Sequence, residues 1–146
     1  MIAVDTNVLV HAHRSDSPFH PQAARNIRTL AGGPSPWAIP WPCIHEFYAK
    51  ATHPRLFDPP STPEQALDQI ASWLESPSLW VISEAADHWT RLEGLLSAAH
   101  VQGPMVHDAR IAAICLSHGV SELWTADRDF ARFPALTTRN PLVART

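Results

Sequence analysis

The sequence predicts an α/β fold, a three-layer α/β/α sandwich with a central parallel sheet of four to five strands. Short apolar runs of strand length alternate with segments of helical periodicity along all 146 residues, so each strand should reach the next through a right-handed crossover. Such connections make the sheet parallel and cover both of its faces. One late segment, Val106–His118, is apolar almost all round, the mark of a buried helix. With no internal repeat, linker or second domain in view, residues 1–146 read as a single domain.

The first element is Ile2–Val10 (IAVDTNVLV). It reads as a short buried strand ending in Asp5, with Thr6 and Asn7 opening a helix that continues through Val8 to Arg14. Ser15-Asp16-Ser17-Pro18 breaks that helix. His20-Pro21 starts another, with Ala24, Ile27, Leu30 and Ala31 on one face and Gly32-Gly33 as the expected glycine C-cap. Trp37–Pro40 is the second strand. Pro42 then stands in the first turn of a helix reaching about Thr52, where its missing N–H is not needed.

Glu46 lies in the middle of that helix, among Ile44, Phe47, Tyr48 and Ala49. The four prolines of His53–Pro63 make a loop, and Ser61-Thr62-Pro63-Glu64 opens a helix with Leu67, Ile70, Ala71 and Leu74 on one apolar face. Leu79–Ile82 is the third strand. Ala85–Val101 is helical, with Trp89, Leu92, Leu95 and Leu96 spaced for one side, and Gly103-Pro104 separates it from Val106–His118. Gly119 stops that helix, Glu122–Ala126 (ELWTA) forms a fourth strand, and Asp127-Arg128-Asp129-Phe130 follows. The tail, Leu136–Thr146, is expected to add an edge strand and then fray.

Composition narrows the function classes. Hydrophobic residues at 45% and charged residues at 17% fit a folded globular chain and exclude a disordered one. No apolar run approaches the ~20 residues of a membrane helix, so no membrane association is expected. The sequence begins without a basic, apolar leader, and the cytoplasm is the expected location. Cys43 and Cys115 stand apart, without a CxxC pair, and read as small buried hydrophobes. The formal charge of −3 argues against a strongly basic coat. Setting four of the 14 acids aside in one site, however, leaves a surface near neutral against 11 basic residues, so a nucleic-acid substrate is not excluded.

Four acids occupy suggestive places: Asp5 at the end of the first strand, Glu46 within an apolar helix face, Asp108 at the start of the buried helix and Asp127 just past the last full strand. Each has a plainer reading. Asp5 and Asp108 can serve as helix caps, Glu46 pairs at i,i+4 with Lys50, and Asp127 and Asp129 suit a turn. Brought together they would repel, and that cost requires a cation or a proton. In an open α/β sheet the strand ends are where a ligand crevice forms. An all-oxygen donor set suits Mg²⁺ or Mn²⁺, and beside a phosphodiester such an ion polarises the phosphoryl oxygen and activates water. The pattern points to metal-assisted phosphodiester hydrolysis.

AVDTNVLV at the start, the isolated Glu46, HDARIAA and LWTADRDF together resemble the PIN-domain family, specifically its VapC-type toxin ribonucleases. The likeness spans nearly the whole chain, in the right order. It implies a PIN-like α/β/α sandwich and an Mg²⁺- or Mn²⁺-dependent endoribonuclease that is the toxin of a toxin–antitoxin pair. A small antitoxin would insert its tail into the acidic groove, and a homodimer is implied as well. Carried over by position, the acidic quartet is Asp5, Glu46, Asp108 and Asp127, with Glu46 binding directly or through water. Thr6, Asn7 and Thr125 match the supporting polar residues, and Asp129 is a peripheral fifth acid. The Pro54–Pro63 loop departs from the family pattern, and that pattern assigns no role to the nine histidines.

RNA also requires cations outside the metal site, and Arg14, Lys50, Arg110, Arg128 and Arg132 are the candidates in sequence. His11 and His13, two apart on a helix, diverge and should not share a metal, while His45 and His107 each precede a proposed metal acid. Of the six tryptophans, Trp41, between two prolines, is the one expected to be free to stack a base; Trp73, Trp80 and Trp89 read as core or interface. Two other readings are weaker. A phosphatase working through an Asp5 phosphate would want an acid where Asn7 stands and more than the single Lys50. A noncatalytic RNA- or protein-binding module would gain nothing from four converging acids.

Overall fold

The computed structural model describes residues 1–143. Its elements are β1 (Ile2–Val4), α1 (Thr6–His13), α2 (His20–Gly32), β2 (Trp37–Pro40), α3 (Trp41–Ala51), α4 (Pro63–Leu74), β3 (Leu79–Ile82), α5 (His88–Ala98), α6 (Val106–Ser117), β4 (Glu122–Trp124) and β5 (Thr138–Arg139). The strands form one fully parallel sheet in the order β3-β2-β1-β4-β5. The edge strand expected in the tail is β5, and the fraying expected of its last residues lies outside the described residues.

That strand order places the site. The chain steps outward from β1 to β2 to β3, then returns across the sheet to set β4 on the other side of β1. Right-handed crossovers put the helices of the outward and return paths on opposite faces. Accordingly α1 packs on α2 and α3, and α3 on α4, while α5 packs on α6. The reversal opens a crevice beyond the carboxyl ends of β1 and β4. Val4 is paired with Trp124, and the Asp5 N–H donates to the Trp124 carbonyl at 2.9 Å, so Asp5 and Thr125 leave the sheet side by side.

The core on either side of the sheet contains Leu9, Trp37, Ile39, Phe47, Ile114 and Leu123, all fully buried. As its all-round apolar character predicted, α6 is covered from Ala109 and Ile111 through Cys115. It ends at Gly119, whose φ of +68° is left-handed, a conformation glycine adopts without a Cβ penalty. Gly33 ends α2 differently from the expected C-cap. Its φ is −87°, and it is favoured because a Cβ there would lie 3.0 Å from the Thr29 carbonyl oxygen.

Three expectations about faces and bounds are corrected. In α4 only Ile70 of the stripe Leu67, Ile70, Ala71 and Leu74 packs against the core: Leu67 and Leu74 are 56% and 45% exposed, Ala71 is exposed as well, and Ala66 and Trp73 are buried. The indole of Trp73 stacks edge-on against Phe47 at 4.8 Å, and burying so large a ring sets the rotation of the helix. In α5, which begins at His88 instead of Ala85, Leu92, Leu95 and Leu96 pack on the core while Trp89 points out. Strand β4 stops at Trp124, before the expected Ala126, because the Ala126 N–H turns away to donate to Asn7 Oδ1 at 3.0 Å. No helix among the described residues is long and apolar enough to cross a membrane.

Candidate active site

Asp5 occupies the N-cap position of α1 in extended conformation, yet its side chain makes no cap hydrogen bond. The carboxylate is turned into the crevice and held there. The Thr125 hydroxyl donates to Oδ2 at 2.8 Å, Asn7 Nδ2 donates to the same oxygen at 3.2 Å, and the Cys43 thiol lies 3.5 Å from Oδ1. Thr125 is fully used: its oxygen also accepts from Asn7 Nδ2 at 3.3 Å and from the Asp127 N–H at 3.0 Å. One hydroxyl therefore ties the end of β1 to the turn after β4 and orients both acids. Burial raises the Asp5 pKa and nearby Glu46 adds to the rise, while the Thr125, Thr6 backbone and Cys43 hydrogen bonds oppose it. Cys43 is a partner that sequence reading missed. Its signal was its place on α3, one helical turn before Glu46.

Glu46 divides its two oxygens. Oε1 pairs with Lys50 Nζ at 2.9 Å, as the i,i+4 spacing suggested, and Oε2 accepts from the Thr6 hydroxyl at 3.3 Å. The ion pair thus does not withdraw Glu46 from the crevice, because its second oxygen faces Thr6 beside Asp5. Its charge is felt by both Asp5 and Asp108.

Asp108 lies in the first turn of α6 and Asp127 caps the short 3₁₀ turn Arg128–Arg132, accepting from the Asp129 N–H at 2.8 Å. The turn reading of Asp127 therefore holds alongside its place in the site. Asp108, Asp127 and Asp129 each offer a carboxylate oxygen within 4.8 Å of the others. Asp5 and Glu46 stand outside this group, so Asp129, expected at the periphery, belongs to the set of acids close enough to share one ion. The Asp108 pKa is pushed up to about 6, first by burial and then by Asp127, Asp5, Asp129 and Glu46 in turn. Four acids therefore act on one point, the Asp108 carboxylate. Three hard oxygen donors from two elements, with unrelieved repulsion, fit a divalent cation of the magnesium type.

The basic candidates are not brought together. Arg14 lies at the far end of α1, where it pairs with Asp16 at 2.7 Å, donates to the Pro59 carbonyl and Ser61 Oγ, and covers the Phe57 ring. It lines a separate cleft of about 760 Å³ with His13 and Asp58. Arg110 is paired with Glu84. Lys50 is joined to Glu46, and Arg128 and Arg132 are exposed on the turn after Asp127. His11 and His13 do diverge, the first meeting Ser17 and the second Gln69 and Ser61. His45 and His107, each preceding a proposed metal acid, are exposed and line one cleft with Glu46 and Asp108.

Residues 2–136 match the PIN domain family. The chain is 33% identical over 146 residues to ribonuclease VapC43 of Mycobacterium tuberculosis, spanning 100% of this chain and 99% of the relative. To ribonuclease VapC48 of the same species it is 31% identical over 137 residues, 94% of each. Its fold is similar to that of a chain in the crystal structure of VapBC2 from Rickettsia felis bound to a DNA fragment from their promoter. That match has a TM-score of 0.70 at 20% identity and covers 95% of this chain and 98% of that one. With strand order, acidic crevice and sequence in agreement, the chain belongs to the PIN-domain family, among its VapC ribonucleases.

Proposed function

We propose that this single-domain chain is a metal-dependent endoribonuclease, the toxin of a toxin–antitoxin pair, which hydrolyses RNA phosphodiester bonds with Mg²⁺ or, in its place, Mn²⁺. The observation that carries this reading is the cluster of Asp108, Asp127 and Asp129, whose carboxylate oxygens lie within 4.8 Å of one another, at a point where burial first and then four other carboxylates push the Asp108 pKa up to about 6. Asp108, Asp127 and Asp129 would hold the ion directly. Asp5 and Glu46 would complete its surroundings, directly or through water. A divalent cation bound there supplies Lewis-acid polarisation of the phosphoryl oxygen and lowers the pKa of the attacking water.

The chain's own residues prepare that chemistry. Thr125 and Asn7 hold Asp5 aimed into the crevice, and the Asp127 backbone is fixed by the same hydroxyl. Lys50 neutralises one side of Glu46 and leaves the other toward the site. Arg128, exposed beside Asp127, would meet an RNA phosphate outside the metal shell. A small antitoxin that inserts a segment into the acidic groove would silence the centre, and a homodimer is the proposed assembly. Co-purification from the native operon followed by mass measurement tests both.

The activity is tested with labelled RNA and purified protein in Mg²⁺, Mn²⁺ or EDTA. Cleavage should require the metal and fall by at least about a hundredfold in Asp5→Asn and Asp108→Asn, both checked for unaltered folding by circular dichroism. Cleavage that survives EDTA or either substitution overturns the metal mechanism.

A further inference from the structure

The Asp5 carboxylate is held from two sides. On the β4 side Oδ2 accepts from Thr125 at 2.8 Å and from Asn7 at 3.2 Å, whereas on the α3 side the side-chain donor to Oδ1 is the Cys43 thiol, 3.5 Å away. Cys43 is fully buried, and Glu46 follows it three residues later on the same face of α3, where it accepts from the Thr6 hydroxyl at 3.3 Å. One face of that helix thus meets the Asp5–Thr6 corner at two points.

The torsion that turns an aspartate carboxylate is broad and nearly two-fold, so donors on one oxygen alone leave the plane of the group loosely defined. A donor on the other oxygen closes the clamp. A thiol is a weak donor, but a buried one has no water to turn to, and an acid that serves a cation depends on the outer groups that orient it. Cys115 marks the contrast. It is equally buried, and no hydrogen bond joins it to an acid among the described residues.

We infer that Cys43 is a positioning residue: its S–H donates to Asp5 Oδ1 and fixes the carboxylate in the orientation that serves the divalent cation. The inference rests on the reading of the neighbouring acids as a metal-dependent ribonuclease centre, and it adds to that centre a group that is not an acid. The role differs in its consequences from that of a small core hydrophobe. A hydrophobe is replaced well by Ala or Val and badly by Ser, whereas a donor is replaced by Ser and by neither of the others.

The test follows the melting temperature of the full chain at neutral pH while Mg²⁺ is titrated, so that metal binding is read without RNA. Cys43→Ala and Cys43→Val should need at least about threefold more Mg²⁺ for half of the shift, and Cys43→Ser should stay within about twofold of wild type. Cys115→Ala should leave the midpoint where it is. In cleavage of labelled RNA, Cys43→Val should lower kcat with KM unchanged, because Asp5 acts through the ion. If Cys43→Ala proves unstable, Cys43→Val, which fills the space, carries the comparison. A wild-type midpoint in Cys43→Ala or Cys43→Val, or a loss in Cys43→Ser equal to theirs, overturns the positioning role. An Mg²⁺ response that still depends on Asp108 then keeps the metal centre. A wild-type chain whose melting temperature ignores Mg²⁺ overturns both readings.

Discussion

Thr125 shows how much one hydroxyl can organise. It is 3% exposed, donates to Asp5 and accepts from Asn7 and the Asp127 backbone, so its donor and both lone pairs are used. Thr125→Val keeps the shape and removes all three bonds. Buried donors left without a partner cost ~1–3 kcal/mol, and Asp5 is left without its strongest compensation for burial. The expected outcome in urea titration is a destabilisation of about 2 kcal/mol. RNA cleavage should fall by at least about tenfold, and Thr125→Ser, which keeps the hydroxyl, should recover most of it. A Thr125→Val enzyme with wild-type rate would separate the network from the chemistry. At this scale the sequence was informative about identity: Asp5, Glu46, Asp108 and Asp127 were all picked out, and the other three all act on the Asp108 carboxylate. Their division of labour was not legible. Whether Asp129 or Asp5 stands within reach of Asp108 and Asp127 depends on the path of a 3₁₀ turn and on a hydroxyl contributed 120 residues away in sequence.

Among the elements, α6 is the one that local sequence specified most fully. Apolar residues all round it demand burial, and Gly119 ends it in a left-handed conformation. A Cβ at Gly119 would meet nothing within 4 Å, so Gly119→Ala carries a purely conformational penalty of ~1 kcal/mol or slightly more. The melting temperature should fall by a few degrees while RNA cleavage stays at the wild-type rate, because Asp108 lies at the opposite end of the helix. A drop in rate at unchanged stability would contradict this. By contrast α4 was placed correctly as a helix but with a faulty choice of face, whereas in α5 only Trp89 departs from the side that packs. Periodicity identifies a stripe, yet the stripe of Leu67 and Leu74 lost to Ala66 and Trp73, because the indole fits against Phe47 from a different helix. Which of two apolar faces is buried is settled by the partner that fills the gap, and the partner is not local.

Over the whole molecule, the acidic crevice makes stability depend on pH and metal. The Asp108 carboxyl is raised from 3.8 to about 6, so in EDTA the folded state binds its proton more tightly than the unfolded chain does. Its stabilising contribution is complete below the unfolded pKa and is lost as pH rises through about 6. Asp5, raised mainly by burial, acts in the same direction. The melting temperature of Asp108→Asn relative to wild type should therefore climb between these two pKa values and level off above them. Mg²⁺ binds the ionised acids of the native state, so it should raise the wild-type melting temperature more at pH 7.5 than at pH 5, and should do so only weakly in Asp108→Asn. Differential scanning fluorimetry across pH, with Mg²⁺ or EDTA, checks all three statements. A metal effect independent of pH would place the ion elsewhere.

What the sequence determined by itself is the alternation of strands and helices, the parallel sheet and the positions of the four acids, because each of these follows from local pattern or from handedness rules that hold for any chain. What only the tertiary structure decided is who meets whom. The return of the chain after β3 puts β4 beside β1, and only then do Asp5 and Thr125 become neighbours. The same reversal brings Asp108 from α6 to Asp127 and Asp129, and sets His45 and His107 across one cleft. These are contacts between residues far apart in the chain. Side-chain size, burial and mutual repulsion select them in three dimensions, and none of that is written in the spacing of residues along a line.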